Sequence, residues 1–258
     1  MIILLSPAKS LDFTPTRIRQ STTPRTLEDS SALIDVMRTK SAKEIGRLMS
    51  ISDKLAKLNQ ERYAAFKSRP ARDEAKQSIL AFKGDVYVGL DNDTLTPEDL
   101  AWAQSHVRIL SGLYGVLRPL DNIQPYRLEM GTKLKTSRGK DLYAFWGDQI
   151  TRMLSKDLKK SKSDAIINLA SQEYFNAVHP KALHGRLFNV NFLEKRDSTY
   201  KFISFTAKKA RGWMCRYLID QRATDPEQMQ AFRGEGFRFT KSLSSDFEYV
   251  FTRSGRSV

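Results

Sequence analysis

Two short apolar runs place the strongest constraint on how this chain can fold. Residues 1–5 (M-I-I-L-L) contain no polar side chain and end at Ser6-Pro7, and residues 165–169 (A-I-I-N-L) contain only one. Runs of this length that stop at polar or turn residues are typical of strands buried on both faces of a sheet. Helical patterns fill most of the chain between them. We therefore expect an α/β fold with a mixed sheet and surrounding helices.

The size and composition favour a single compact domain over residues 1–258. The 258 residues are 40% hydrophobic, which is enough for a substantial core, and we find no internal repeat or linker. No apolar run approaches the roughly 18 residues that span a bilayer. The N-terminus lacks the basic region of a signal peptide, and the one cysteine, Cys215, fits a reducing compartment. We expect a cytoplasmic protein that does not associate with membranes.

The net charge of the chain narrows the classes of partner that we expect it to bind. Forty-three Lys and Arg residues against 29 Asp and Glu give a net charge of +14. A protein this basic commonly faces a polyanion. A basic surface that is merely solvated is the alternative.

The secondary structure follows from periodicity and caps. Helices are predicted from Ser41, with Glu44 completing a capping box, from Ser52, from Thr96, and from Asp141 to about residue 160. A further helix is predicted over residues 71–82. Strands are expected at 86–88, at 188–193 paired with 200–205, and in two alternating stretches near the C-terminus.

The stretch from 109 to 127 combines glycines, prolines and arginines after the helix that Thr96 caps. We expect that helix to end at Ser111-Gly112, because Gly112 and Gly115 can adopt a positive φ. The segment L-S-G-L-Y-G-V-L resembles the hairpin of a helix-hairpin-helix element, whose backbone N–H groups approach a DNA phosphate. A tight core turn is the alternative interpretation.

Two further loops combine lysines with polar groups. Lys9 and two hydroxyls follow the first predicted strand, where ligands gather in α/β sheets, although the loop has no P-loop glycine. Lys83-Gly84-Asp85 precedes the predicted 86–88 strand. Each loop is either an anion site or an ordinary surface turn.

A predicted helix over residues 207–221 separates its charges from its apolar side chains. Ala210, Met214 and Leu218 share one face, and basic residues occupy the opposite side, namely Lys208, Lys209, Arg211, Arg216 and Arg222. One-sided positive charge favours an anionic partner, because an ordinary solvated face mixes signs.

Recognisable catalytic and metal-binding motifs are absent from the sequence. The three histidines form no ligand cluster, so we predict no metal site, and direct iron storage fits poorly. An enzyme acting on a nucleotide or a damaged base is the alternative to a DNA-binding protein. Its pocket would use Ser6, Lys9, Lys83, Tyr126 and Arg127, with Asp85 as the base.

Several ordered motifs together resemble the bacterial peroxide stress resistance protein YaaA family. They are S-P-A-K-S-L-D (6–12), I-S-D-K-L-A (51–56), A-F-K-G-D-V-Y-V-G-L (81–90), L-S-G-L-Y-G-V-L-R-P-L-D (110–121), Q-P-Y-R-L-E-M-G (124–131), F-W-G-D (145–148), I-N-L-A-S-Q-E-Y-F (167–175) and A-K-K-A-R-G (207–212). The resemblance extends over essentially the whole chain. It implies a cytosolic protein that limits iron-linked oxidative damage to DNA under hydrogen peroxide stress.

The resemblance also implies duplex DNA binding through a basic cleft and a helix-hairpin-helix element on an unusual α/β fold. It implies no enzymatic activity, and we expect no cofactor and no obligate protein partner. Carried over to this sequence, the hairpin comprises Ser111, Gly112, Leu113, Tyr114 and Gly115. The expected cleft residues, chosen among basic motif positions, are Lys9, Lys83, Arg118, Arg127, Lys208, Lys209 and Arg211.

Overall fold

A computed structural model describes residues 1–255 of the chain. The strands, in chain order, are β1 Ile2–Leu5, β2 Ser10–Leu11, β3 Lys76–Gln77, β4 Phe82–Lys83, β5 Val107–Ser111, β6 Gly115–Leu117, β7 Asn122–Ile123, β8 Ala165–Asn168, β9 Arg186–Arg196, β10 Thr199–Lys201, β11 Arg238–Phe239 and β12 Glu248–Ser254. Most of them belong to one sheet. The pairs β2–β4 and β3–β7 form two small separate ladders.

The helices surround this sheet. They are α1 Leu27–Arg38, α2 Ala42–Met49, α3 Asp53–Ala65, α4 Ser78–Ala81, α5 Asp85–Leu90, α6 Pro97–His106, α7 Leu142–Trp146, α8 Gln149–Lys160, α9 Gln172–Phe175 and α10 Ser204–Asp220. Short 3-10 turns lie at Arg72–Glu74, Asn92–Thr94, Pro180–Ala182, Pro226–Ala231, Gly234–Gly236 and Lys241–Leu243.

The main sheet has eight strands in the order β11-β12-β9-β8-β1-β5-β6, and β10 also pairs with β9. Strands β12, β9, β8, β1 and β5 run parallel, whereas β6, β10 and β11 are antiparallel to their neighbours. Every residue of β1 is buried, as expected for a parallel strand covered on both faces. The predictions of strands near residues 1–5 and 165–169 and of a mixed α/β fold are confirmed.

The antiparallel pair predicted near residue 200 is confirmed only in part. Residues 199–201 pair with 194–196, but the chain then turns and α10 begins at Ser204. The capping box of Ser41 with Glu44 is confirmed, and so is that of Thr96 with Asp99. Asp141 caps α7, as predicted, although Gly147 (φ 45°) separates α7 from α8.

The placement of a helix-hairpin-helix turn at residues 110–115 is wrong. The helix after Thr96 ends at His106, and Val107 begins strand β5. Strand β6 returns antiparallel to β5, with Ser111 opposite Gly115, so the segment is a β-hairpin inside the sheet. The apolar spacing that suggested a longer helix belongs to a strand buried on both faces, which the sequence cannot distinguish from a buried helix over so short a run.

Residues 86–88 were predicted as a strand and lie instead in α5. Tertiary packing explains the difference: a Cβ on Gly212 of α10 would lie 1.9 Å from the carbonyl oxygen of Val86, so α5 and α10 touch through their backbones. The predicted helix over 71–82 is also wrong, because β3 and β4 flank a single turn, α4.

A buried ion-pair network joins the N-terminal region to the sheet and α8. Asp157 accepts from Nε of Arg108 at 2.6 Å and from both terminal nitrogens of Arg25 at 2.8 and 3.0 Å. Burial by itself raises the pKa of Asp157, but the hydrogen bonds from Arg25 and Arg108 outweigh it, and the pKa lies below its ordinary value.

Candidate functional site

Three serines meet where neighbouring parallel strands end. Ser6 follows β1, Ser111 ends β5, and Ser171 comes shortly after β8. The Ser6 hydroxyl accepts from the Ser171 N–H at 2.8 Å and lies 3.2 Å from the Ser171 hydroxyl. This edge is where α/β sheets place ligands, so the side chains gathered here form one candidate site, the carboxyl-edge cluster.

Buried tyrosines are hydrogen-bonded to the serines of the carboxyl-edge cluster. The Tyr87 hydroxyl donates to the carbonyl of Ser6 at 3.1 Å, and the Tyr126 and Ser111 hydroxyls are 2.7 Å apart. Burial raises the pKa values of Tyr87, Tyr126 and Tyr174 above the ordinary value. These phenols therefore stay neutral at physiological pH, and the Tyr87 hydroxyl acts as a hydrogen-bond donor.

Glu129 supplies the negative charge of the carboxyl-edge cluster. Its Oε1 lies 2.9 Å from Nη2 of Arg127 and 3.2 Å from Nζ of Lys9. Its Oε2 is buried and has no hydrogen-bond partner among the described residues. The adjoining cavity, lined by Lys9, Tyr126 and Tyr174 among others, has about 10 Å³, which is space for about one water.

Lys83 and Asp85 do not line that cavity. The β2–β4 ladder places Lys83 opposite Ser10, but its ammonium lies 2.5 Å from Asp93 and 3.7 Å from Asp12. The hydrogen bond to Asp93 is the largest cause of the raised pKa of Lys83. Asp85 opens α5. Of the residues in the enzyme hypothesis, Lys9, Tyr126 and Arg127 line this cavity, whereas Ser6, Lys83 and Asp85 do not, and the cavity has no space for a base or sugar.

The predicted hairpin residues Ser111–Gly115 are closed to solvent. Leu113 and Tyr114 have no exposed surface, and the carbonyl of Gly112 accepts the indole N–H of Trp146 at 2.9 Å. A Cβ on Gly112 would lie 2.2 Å from the carbonyl oxygen of Leu128, and one on Gly115 would meet the Trp146 ring at 2.8 Å. These glycines are needed for close packing, and the hairpin cannot reach a DNA phosphate in this structure.

The basic residues expected on α10 divide into two kinds. Lys208 is exposed, and the Lys209 ammonium lies 4.5 Å from the centre of the Phe205 ring. Neither lysine forms an ion pair within residues 1–255. Arg211 is mostly buried, and burial lowers its pKa. Arg216 and Arg222 bond to Asp220 and Asp99, so part of the predicted one-sided charge is neutralised within the protein.

The remaining cleft residues are only partly brought together. A Cβ on Gly84 would touch Ala8 at 3.2 Å, and a Cβ on Gly89 of α5 would meet the backbone of Lys209. These contacts link the loops of Lys9 and Lys83 to the start of α10. Arg118 lies apart, because β6 carries it back toward the opposite edge of the sheet, where it pairs with Asp121.

Exposed aromatic side chains lie just before α10 and in its first turn, and the sequence patterns did not single them out. Tyr200, Phe202 and Phe205 are 43%, 54% and 57% exposed. Lys201, Lys208 and Lys209 interleave with them, and the next acidic residue along the chain is Asp220. We call these six residues the 200–209 face. The signal available in the sequence was the alternation of aromatics and lysines, which also fits an ordinary buried strand.

A second basic surface lies on the helical hairpin α2–α3. Ser50 adopts left-handed geometry (φ 52°), and Ser52 caps α3, so only three residues join the helices. Four exposed cations without an ion pair in the described part of the chain project from it: Lys43, Arg47, Lys54 and Lys57.

Comparison with known proteins gives the family. The family model for the peroxide stress protein YaaA matches residues 1–243. The chain belongs to the YaaA family. UPF0246 proteins of Burkholderia pseudomallei (strain 668) and Cupriavidus metallidurans (strain CH34) are 52% identical over 256 residues and 51% over 257, covering 98% of each chain. A UPF0246 protein of Burkholderia thailandensis is also 52% identical over 256 residues.

The YaaA family is a peroxide stress family, which makes the redox-active side chains of the chain relevant to its function. Cys215 is buried in α10, and burial raises the pKa of its thiol to about 12. Reactivity toward peroxide requires an accessible thiolate, which this environment suppresses. Within residues 1–255 no group of three or more His, Cys, Asp or Glu side chains could hold a metal ion. No helix in the same range is long and apolar enough to cross a membrane.

Proposed function

We propose that this YaaA family member binds DNA without sequence preference, and that the 200–209 face provides the main contact. The observation that carries the proposal is the combination of three exposed aromatic rings with three lysines that have no carboxylate partner in the described residues. Lysines neutralise backbone phosphates, and aromatic rings stack on unpaired bases of any identity. The net charge of +14 supplies long-range attraction to a polyanion.

The same chemistry predicts which DNA binds best. Exposed rings such as Phe202 and Phe205 gain little from an intact duplex, whose bases are already stacked. We therefore propose that double-stranded DNA binds through its phosphates, and that DNA with unpaired bases binds more tightly. In a peroxide stress protein, such binding would cover DNA where damage or strand opening exposes bases.

The helical hairpin α2–α3 provides a second phosphate-binding surface in this proposal. Lys43, Arg47, Lys54 and Lys57 are exposed on it, and the turn is short enough to let a backbone approach. Asp53 at the start of α3 opposes an anion at the turn itself. We therefore assign the contact to the lysine and arginine side chains, and not to the amides of the turn.

The decisive experiment compares two triple variants with equal loss of charge. Lys201, Lys208 and Lys209 are changed to Gln in the first, and Lys156, Lys159 and Lys160 of α8 in the second. All three α8 lysines are exposed. Binding to a fluorescent duplex, with and without a central bubble, is measured by anisotropy at several salt concentrations. The first variant should lose about tenfold or more in affinity, and the second much less.

Equal losses in the two triple variants would mean that only net charge matters, and the proposed 200–209 face would be rejected. Changing Phe202 and Phe205 to Ala tests the stacking contribution separately. This variant should lose its preference for the bubble and keep most of its affinity for the intact duplex.

A further inference from the structure

A separate pocket of about 360 Å³ lies between the 13–21 segment and the region around β3. We call it the Lys76 pocket. The 13–21 segment is held in place by Gln77, whose side-chain N–H groups donate to the carbonyls of Ile18 at 3.0 Å and Gln20 at 2.7 Å. The Thr14 N–H also donates to Asp12 at 2.8 Å. The pocket is therefore a fixed part of the fold, although residues 13–21 form neither a helix nor a strand.

Lys76 is the feature that points to a ligand. It is 8% exposed and lines the pocket. Within residues 1–255 its ammonium forms no direct ion pair or hydrogen bond, and its positive charge helps to lower the pKa of Asp12 only from a longer distance. Burying a charge without a partner is unfavourable, so lysines in such positions normally face a carboxylate or another anion. Here the β3–β7 ladder pairs Lys76 with Ile123 and thereby fixes the position of the Lys76 backbone.

The other polar groups of the pocket also suit an anion. Arg19 and Arg72 line it, are exposed, and have no ion pair in the described chain, whereas Asp73 is the single carboxylate in the lining. The hydroxyl groups of Thr14 and Ser21 add neutral donors. Three cations against one carboxylate, together with hydroxyls, are the groups that proteins use to bind phosphate.

The remaining wall is apolar. Phe13 and Ile18 are partly buried against the core and line the same cavity. The volume lies at the lower end of the roughly 300–1,000 Å³ found for small-molecule sites. That size suits one phosphate joined to a single ring system and is too small for a dinucleotide.

We propose that the Lys76 pocket binds a phosphomonoester with a flat, largely apolar body, of the mononucleotide class. The phosphate would contact Lys76, Arg19 and Arg72, and the ring would lie against Phe13 and Ile18. None of these residues belongs to the 200–209 face or to the helical hairpin α2–α3. The proposal is thus independent of DNA binding by those two surfaces.

The test uses the full chain and four probes: AMP, ribose 5-phosphate, inorganic phosphate and adenosine. Isothermal titration calorimetry should show AMP binding about tenfold or more tightly than inorganic phosphate or adenosine, because each lacks one half of the contacts. The affinity for ribose 5-phosphate should lie between the affinity for AMP and the affinities for inorganic phosphate and adenosine. Failure of AMP and ribose 5-phosphate to bind at concentrations up to about 10 mM overturns the proposal.

Lys76→Met is the central variant, because it keeps the length of the side chain and removes the charge. We expect an unchanged or higher Tm, since a largely buried side chain loses its charge and no direct ion pair or hydrogen bond is broken, together with at least about tenfold weaker AMP binding. Lys159→Met, at an exposed position of α8, is the matched control and should bind AMP as the wild type does. AMP binding by Lys76→Met at wild-type strength overturns the assignment.

Arg19→Gln and Arg72→Gln give a second test that does not depend on a buried position. Each should weaken AMP binding several-fold without changing the Tm. Duplex DNA separates this proposal from the DNA-binding one: all three variants should bind a duplex at wild-type strength. If they lose DNA binding and the wild type does not bind AMP, the cations serve DNA phosphates and the pocket proposal is wrong.

Discussion

Asp157 and Arg108 form a buried ion pair with 2.6 Å between Oδ2 and Nε, and Arg25 completes the network by donating to both carboxylate oxygens. Replacing Asp157 by Ala leaves two arginines without their acceptor. We expect a loss of about 3 to 5 kcal/mol in the free energy of unfolding, measured by guanidinium denaturation. Asp164→Ala breaks an exposed pair with Arg186 and should leave the midpoint near that of the wild type. Similar effects of both substitutions would contradict a structural role for the network.

The same network predicts how stability depends on acid. The folded-state pKa of Asp157 lies below the ordinary value, so its stabilising contribution is complete above the unfolded-state pKa of about 4. It is lost as the pH falls below that value and through the folded-state pKa. The Tm of the wild type should therefore drop more steeply below about pH 4 than that of Asp157→Asn. Parallel profiles would show that other carboxylates dominate acid unfolding.

Gly112→Ala should be strongly destabilising. The added Cβ would meet the Leu128 carbonyl oxygen at 2.2 Å, and backbone atoms cannot easily move away. We expect a cost of at least about 2 kcal/mol, measured by chemical denaturation. Gly46→Ala in α2 is the matched control, because the added Cβ would make only ordinary contacts of 3.5 Å with Ala56 and the Ile51 carbonyl oxygen. This substitution should raise the free energy of unfolding by about 0.5 to 1 kcal/mol. If Gly112→Ala folds normally, the packing argument is wrong.

Cys215 should be inert toward thiol reagents and hydrogen peroxide in the folded protein. The thiol is fully buried and its pKa is about 12, so the reactive thiolate is scarce at neutral pH. Mass spectrometry after peroxide treatment should find Cys215 unmodified, whereas the urea-unfolded chain should react readily. Rapid oxidation of the native protein would overturn this and would make the cysteine a candidate sensor.

Protection of DNA follows from the proposed function. Supercoiled plasmid exposed to ferrous iron and peroxide should be nicked more slowly in the presence of the wild-type protein. Protection should fall with the Lys201/Lys208/Lys209→Gln variant and remain with the Lys156/Lys159/Lys160→Gln control. Protection that is equal in both variants would indicate scavenging of the oxidant, and not DNA binding.

The sequence predicted those elements whose signals are local. The buried runs before Ser6 and around Ile167 became parallel strands, and the capping residues Ser41 and Thr96 began helices as predicted. These signals depend on neighbouring side chains and backbone amides, which are visible in the sequence. The mixed α/β class followed from them.

Elements determined by distant contacts were missed. Residues 86–88 are β-branched or aromatic and favour a strand, yet packing of α5 against α10 makes them helical. The sequence left a phosphate-binding turn and a tight core turn open for Gly112 and Gly115, and the packing of Leu128 and Trp146 against these glycines supports the core turn. Neither contact leaves a trace in the local pattern. For the same reason, only the three-dimensional structure shows that Lys83 pairs with Asp93 and Asp12 and that Lys76 is largely buried beside a pocket.

The glycine contacts between α5 and α10 have a mechanical consequence. Because the backbones of Gly89 and Gly212 pass so close to the opposite helix, no layer of side chains separates the two helices at that point. Sliding or tilting of one helix alone would require backbone atoms to overlap, so we expect the pair to move as a rigid unit. A displacement of α10 at Lys208 would then also displace α5 and the turn at Gly84, because no flexible side chains between the helices can absorb the movement.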